Sequence, residues 1–177
     1  MNIEKLSQVV TFLPKSKIKA SEAKKNGKYV FFTSSDTKRS YIDKFLYDDE
    51  LIVLGTGGFA SCNYYNGKFA VSTDNFVIKP KNNLLPKYLY YYLRKDNLLI
   101  LNNGFRGIGI KHISKDYVMN ISIPMATLDN QKSIINNLDN IIETIEREKQ
   151  CIIHCDELIK SRFIWQKEVS YEAWRTP

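Results

Sequence analysis

From Leu128 to Phe163 the chain repeats apolar residues every 3.5 positions. With Ile135 at heptad position a, the d positions are Leu138, Ile145, Ile152 and Ile159, and the a positions are Ile135, Ile142, Lys149, Asp156 and Phe163. At a rise of about 1.5 Å per residue such a stretch makes a rod on the order of 54 Å long. A small domain does not need so long a helix to close its own core. An a/d seam of this kind is suited to lie against another helix, so the chain is expected to work inside an assembly.

The 177 residues leave room for one globular domain ahead of that helix. The chain is 44% hydrophobic and 12% aromatic, which supports a packed core and argues against disorder. Three cysteines, Cys62, Cys151 and Cys155, are too few and too odd in number for a disulfide framework. The polar N-terminus does not read as a signal peptide, and no apolar run reaches the roughly 20 residues of a membrane span. A soluble, cytoplasmic protein is expected.

Charge is unevenly placed. Residues 1–127 hold 19 Lys/Arg against 10 Asp/Glu, a balance of +9, whereas residues 128–177 hold 7 against 9. A basic globular part followed by a slightly acidic rod suggests that the first meets a polyanion and the second meets protein.

Lys28–Thr33, Leu51–Leu54, Asn75–Ile78 and Ile121–Ile123 read as strands, with Pro124 ending the last. Asn66-Gly67 between aromatic and β-forming residues predicts a hairpin turn. Pro86 opens a helix to about Leu101, closed by Asn102-Asn103-Gly104. Ser114 is placed to cap a single turn, and Thr127 to cap the long helix with Asp129 in its first turn. Asp48, Asp49 and Glu50 read as a solvated turn before a strand. Strands precede one short and one long helix without regular alternation, so the fold class is α+β, a small mixed sheet followed by a coiled-coil-like helix.

Catalytic signatures are missing. Leu51–Gly58 superficially resembles a strand feeding a glycine-rich phosphate loop, but no helix follows and no Gly-Lys-Ser/Thr ending is present. The glycines suit a strand corner better. Cys151, His154 and Cys155 form a compact cluster, yet zinc needs four ligands and no second pair exists; on a helix the two cysteines act as small apolar residues. No Asn/Asp-Pro-Pro-aromatic motif of a DNA amino-methyltransferase occurs, so the chain reads as non-catalytic with no metal site.

Three basic, polar stretches remain: Lys24–Lys28, Ser34–Arg39, and Arg106 through Lys111-His112. Lys and Arg in loops neutralise phosphates, and Ser, Thr and Asn donate to phosphates or read base edges. Any one of them is an ordinary solvated loop; three on a +9 domain favour double-stranded DNA. Lys38, Arg39, Arg106 and Lys111 are the expected phosphate contacts, with Ser34, Ser35, Asn63 and His112 as further interface residues.

In this order the residues resemble the specificity (S) subunit of type I restriction–modification systems. The most specific piece is Ile121-Ser122-Ile123-Pro124 leading to Leu128-Asp129-Asn130-Gln131-Lys132-Ser133-Ile134 and ending in Leu158-Ile159-Lys160-Ser161-Arg162-Phe163. Supporting it are Gly27–Ser35, Ser72–Phe76 and Leu85–Leu93. The resemblance implies a target recognition domain over residues 1–126 that reads half of a bipartite DNA site. It implies a spacer helix over 127–163 that docks methyltransferase subunits, and residues 164–177 are read as a C-terminal tail. It further implies that S-adenosylmethionine, ATP and magnesium belong to the modification and restriction subunits, and that no cofactor binds here. The usual family member has two recognition domains and two spacers; this chain shows one of each, as in a half-subunit or half-length fragment. A homodimer with antiparallel helices is therefore expected, its seam formed by Leu138, Ile142, Ile145, Ile152, Ile159 and Phe163. Two rivals are a stand-alone methyltransferase or nuclease, and a coiled-coil decoy that binds methyltransferase subunits without reading DNA.

Overall fold

Leu51, Ile52, Val53 and Leu54 are all at most 1% exposed, so the strand carrying them is covered on both faces. Alternate side chains point opposite ways along a strand, and here they supply two cores. Ile52 and Leu54 join Leu89 and Leu93 of the following helix, while Leu51 and Val53 join Phe69, Val71 and Val77. The computed structural model describes residues 2–34 and 40–173.

The chain opens with β1 (Asn2–Lys5), a single turn α1 (Leu6–Val9) and β2 (Val10–Phe12). A 3₁₀ turn (Ala20–Glu22) precedes β3 (Tyr29–Phe32), β4 (Ser40–Ile42), β5 (Tyr47–Gly55), β6 (Ser61–Val71) and β7 (Asn75–Pro80). Then come α2 (Pro86–Asn102), β8 (Phe105–Arg106), β9 (His112–Ile113), α3 (Lys115–Asn120), β10 (Ser122–Met125) and α4 (Leu128–Ala173). The main sheet has six strands in the order β2-β7-β5-β6-β3-β4. Only β3 and β6 run parallel, so the sheet is mixed and the fold is α+β, as the sequence predicts.

This sheet curls. Phe69 of β6 lies opposite Tyr47, whereas Asn75 of β7 lies opposite Gly55, at the other end of β5. In a flat sheet those points along β5 are about 26 Å apart, farther than the chain from 69 to 75 can reach at about 3.4 Å per residue. The curl brings the exit of β3 to the turn before β7. Ser72 N–H donates to the Phe32 carbonyl at 2.8 Å, and the Asn75 amide donates to the same carbonyl and to Ser72 Oγ.

Three local expectations change. No turn forms at Asn66-Gly67: β6 runs straight through it, paired with β5 from Ser61 to Phe69. Gly67 takes φ +122° within the strand, and the chain reverses at residues 56–60 instead, where Gly58 has φ +82°. Asp48, Asp49 and Glu50 are strand residues of β5, with Asp49 bonded to Lys79 and Glu50 to the Tyr64 hydroxyl. Pro124 continues β10, because β1 is that strand's partner and Pro124 sits opposite Ile3 in a two-stranded ladder.

Two units result, residues 1–135 and 136–177, in place of a boundary at 126. The first turns of α4 belong to the first unit because Gln131 is fully buried there and Ile135 packs on its core. Thr127 caps the helix as expected, accepting from Asn130 N–H. The helix also runs beyond Phe163 to Ala173, so the expected tail is largely helical. No Gly or Pro interrupts the sequence from Leu128 to Ala173, so nothing within that span breaks the helix. Among the described residues no helix is long and apolar enough to cross a membrane.

Candidate nucleic-acid interface

The turn 56–60 and the hairpin β8–β9 form one composite loop structure. Phe105 and Ile113, buried and paired with each other, anchor the hairpin, and the next pair outward is Arg106 with His112. Its tip bends at Gly107 and Gly109, both with positive φ. Gly58 N–H donates to the Lys111 carbonyl at 2.9 Å and Ile113 N–H to the Thr56 carbonyl at 3.1 Å. Gly57 bridges to His112, and a Cβ on Gly57 would lie 3.2 Å from the His112 ring. Thr56 N–H donates to Asp74, tying this pair of loops to the turn before β7. Gly104 starts the hairpin under the Tyr117 ring, where a Cβ would come within 2.3 Å.

The predicted contacts distribute unevenly over this frame. Arg106, Lys111 and His112 are brought together and exposed at the hairpin. Ser34 lies near them in the fold, with its carbonyl 3.0 Å from where a Gly55 Cβ would stand. Ser35, Lys38 and Arg39 lie outside the described residues. Asn63 is not in a loop; it is half-buried in β6 opposite Val53. The stretch Lys24–Lys28 is partly committed within the domain, because Lys24 Nζ and Lys28 N–H both bond Asp43. The lysine bond holds the Asp43 carboxyl below its ordinary pKa.

Sequence reading missed two features of this region. Phe59, Ile108 and Ile110 are exposed at the joined loops, beside a cleft of about 530 Å³ between Gly58, Phe105 and Lys111. Glycines flanking single large apolar residues, in Gly-Gly-Phe and Gly-Ile-Gly-Ile, were the available signal. Lys15, Lys17 and Lys19 are also exposed, alternating with buried Ser16 and Ile18. The Ile18 carbonyl accepts from Thr73 N–H, so this basic strip leads to the turn that holds Thr56.

On α4, Ile142, Ile145, Ile152, Ile159 and Phe163 are each at least half exposed, and Leu138 is half-buried. Cys151 and Cys155 are exposed free thiols and Cys62 is buried. Among the described residues no group of His, Cys, Asp or Glu is placed to hold a metal ion.

A curled mixed sheet with a loop cluster at one end, followed by a long helix, is a known arrangement. The crystal structure of a type I restriction–modification S subunit from M. genitalium superposes with a TM-score of 0.70 over 82% of this chain and 40% of its own, at 20% identity. The HsdS subunit from Thermoanaerobacter tengcongensis gives 0.60 over 85% and 39%, also at 20% identity. These likenesses establish the fold. The family described as the type I restriction modification DNA specificity domain matches residues 1–154, and the chain belongs to it. Among curated relatives, the type I restriction enzyme EcoDI specificity subunit of Escherichia coli is 29% identical over 84% of this chain and 33% of its own length. The MjaVIII specificity subunit of Methanocaldococcus jannaschii is 27% identical over 57% and 24%. The chain thus spans about a third or less of the curated relatives it matches.

Proposed function

We propose that the first unit reads one half of a bipartite site in double-stranded DNA, within a type I restriction–modification complex. The observation that carries this reading is the pair of hydrogen-bonded loops presenting Arg106, Lys111 and His112 together on a domain of balance +9. Backbone bonds fix the loops, so the cations meet phosphates without a large ordering cost. Ser34 extends the same surface, and Ser35, Lys38 and Arg39 remain proposed contacts from sequence alone; Asn63 is a weaker part of it because it lies on the sheet.

The chain supplies specificity, and adenine methylation and DNA cleavage are the work of partner subunits. S-adenosylmethionine, ATP and magnesium are used there. The apolar face of α4 is the docking surface for methyltransferase subunits and for a second helix. With a second copy of this chain, the two helices pack antiparallel as a homodimer.

Co-expression with a methyltransferase subunit, followed by methylation mapping, identifies the site. On duplexes carrying it, Arg106→Gln with Lys111→Gln is expected to weaken binding. It should also lower the slope of log affinity against log salt by about two, one per lost phosphate contact. Unchanged affinity and slope would remove this hairpin from the DNA.

A further inference from the structure

Three large apolar side chains stand in water where the two loops meet. Ile108 is 106% exposed, Phe59 88% and Ile110 72%. Core packing does not account for them, since the hairpin's own anchors are Phe105 and Ile113, both nearly buried. The isoleucines flank Gly109, whose φ is +80°, and Phe59 follows Gly58, at +82°. A Cβ on either glycine would meet nothing within 4 Å, so these glycines serve backbone conformation and not close packing. The turn and hairpin are fixed to each other through Gly58 N–H and the Lys111 carbonyl. Such a group is a patch, not scattered surface residues, and a patch rimmed by charge marks a binding surface.

Its rim selects the partner. Arg106, Lys111 and His112 border the three apolar residues, and all three are exposed. A polyanion that also offers an apolar group fits both features. The major groove, about 12 Å wide, admits a two-stranded ribbon. The apolar group that duplex DNA exposes in the major groove is the thymine 5-methyl. We infer that Ile108 and Ile110 at the hairpin tip read thymine methyl groups in the major groove. This rests on the reading that the domain binds duplex DNA. Arg106 and Lys111 set the register on phosphates, and the apolar tip supplies discrimination at A·T pairs.

Uracil in place of thymine removes that methyl and leaves base pairing intact. Duplexes bearing the mapped site, with each thymine replaced in turn by deoxyuridine, are titrated against the full chain and two double variants. For the unaltered chain, at least one replacement is expected to weaken binding about fourfold, the effect of burying one methyl-sized group. Ile108→Ala with Ile110→Ala should bind the thymine and uracil duplexes alike and keep the original salt slope. Arg106→Gln with Lys111→Gln should keep the thymine preference while losing slope. If the unaltered chain binds its site selectively yet ignores every uracil replacement, the methyl reading is overturned and DNA recognition stands. Thymine preference that survives both alanines overturns it as well. Absence of selective duplex binding overturns both readings.

Discussion

The side-chain amide of Gln131 satisfies three backbone groups at once. Its Oε1 accepts from Leu85 N–H at 2.9 Å, and its Nε2 donates to the carbonyls of Asn83 and Ala126 at 2.9 and 2.8 Å. It thereby ties the start of α2, the exit of β10 and the first turn of α4 into one joint around a fully buried side chain. Gln131→Ala would leave those groups without partners, and a buried unsatisfied polar group costs about 1–3 kcal/mol. A loss of about 2–4 kcal/mol is expected, read from urea unfolding of the purified chain; a loss below about 0.5 kcal/mol would show that water replaces the amide. The Gln-Lys pair at this helix start was legible as a motif. Its purpose was not, because its partners at Asn83 and Leu85 are distant in sequence. The same holds for Asn75, whose bonds to Phe32 and Ser72 close the curled sheet.

At the scale of elements, what the sequence disclosed was what short-range chemistry controls. The Leu51–Leu54 run, the proline-opened α2, and the caps at Ser114 and Thr127 all depend on near neighbours. By contrast β1 pairs with β10 and β2 with β7, matches that no local pattern announces. Asn-Gly was misleading because a hairpin signal is only a local preference, and residue-by-residue pairing of β6 with β5 overrode it. Cross-strand ion pairs also join elements: Asp49 of β5 bonds Lys79 of β7, and Lys24 bonds Asp43 next to β4. Each lysine bond lowers its carboxyl's pKa below the ordinary 3.8. A carboxyl depressed in the folded state stabilises above its unfolded pKa, and that contribution fades as pH falls through the folded value. Asp43→Asn with Asp49→Asn should therefore lower Tm slightly at pH 7, both pairs being exposed, and that difference should close as pH falls from about 5 to 3. An unaltered acid limb in thermal melts would show that other carboxylates control it.

For the whole molecule the decisive surface is the seam of α4. Leu138, Ile142, Ile145, Ile152, Ile159 and Phe163 recur at heptad spacing, and the last five are 50–67% exposed. Covering each is worth up to about 1.5–3 kcal/mol, an upper bound for side chains already partly covered. A second copy of the chain is the proposed complementary surface and needs no new sequence, since a two-fold interface is isologous. Lys149 and Asp156 at two a positions weaken the seam and favour one register over its slips. In the proposed antiparallel homodimer the two copies of the first unit are expected at opposite ends, which predicts a palindromic DNA site of two identical half-sites with a spacer between them. Light scattering of the chain at micromolar concentration is expected to give twice the monomer mass. Ile145→Asp, which puts a charge in the seam, should return a monomer. The mapped site should be an inverted repeat. A chain that stays monomeric, with Ile145→Asp changing neither mass nor stability, would exclude self-pairing and assign the seam to a different protein's helices. A mapped site without inverted symmetry would exclude the two-fold arrangement even if the mass were doubled.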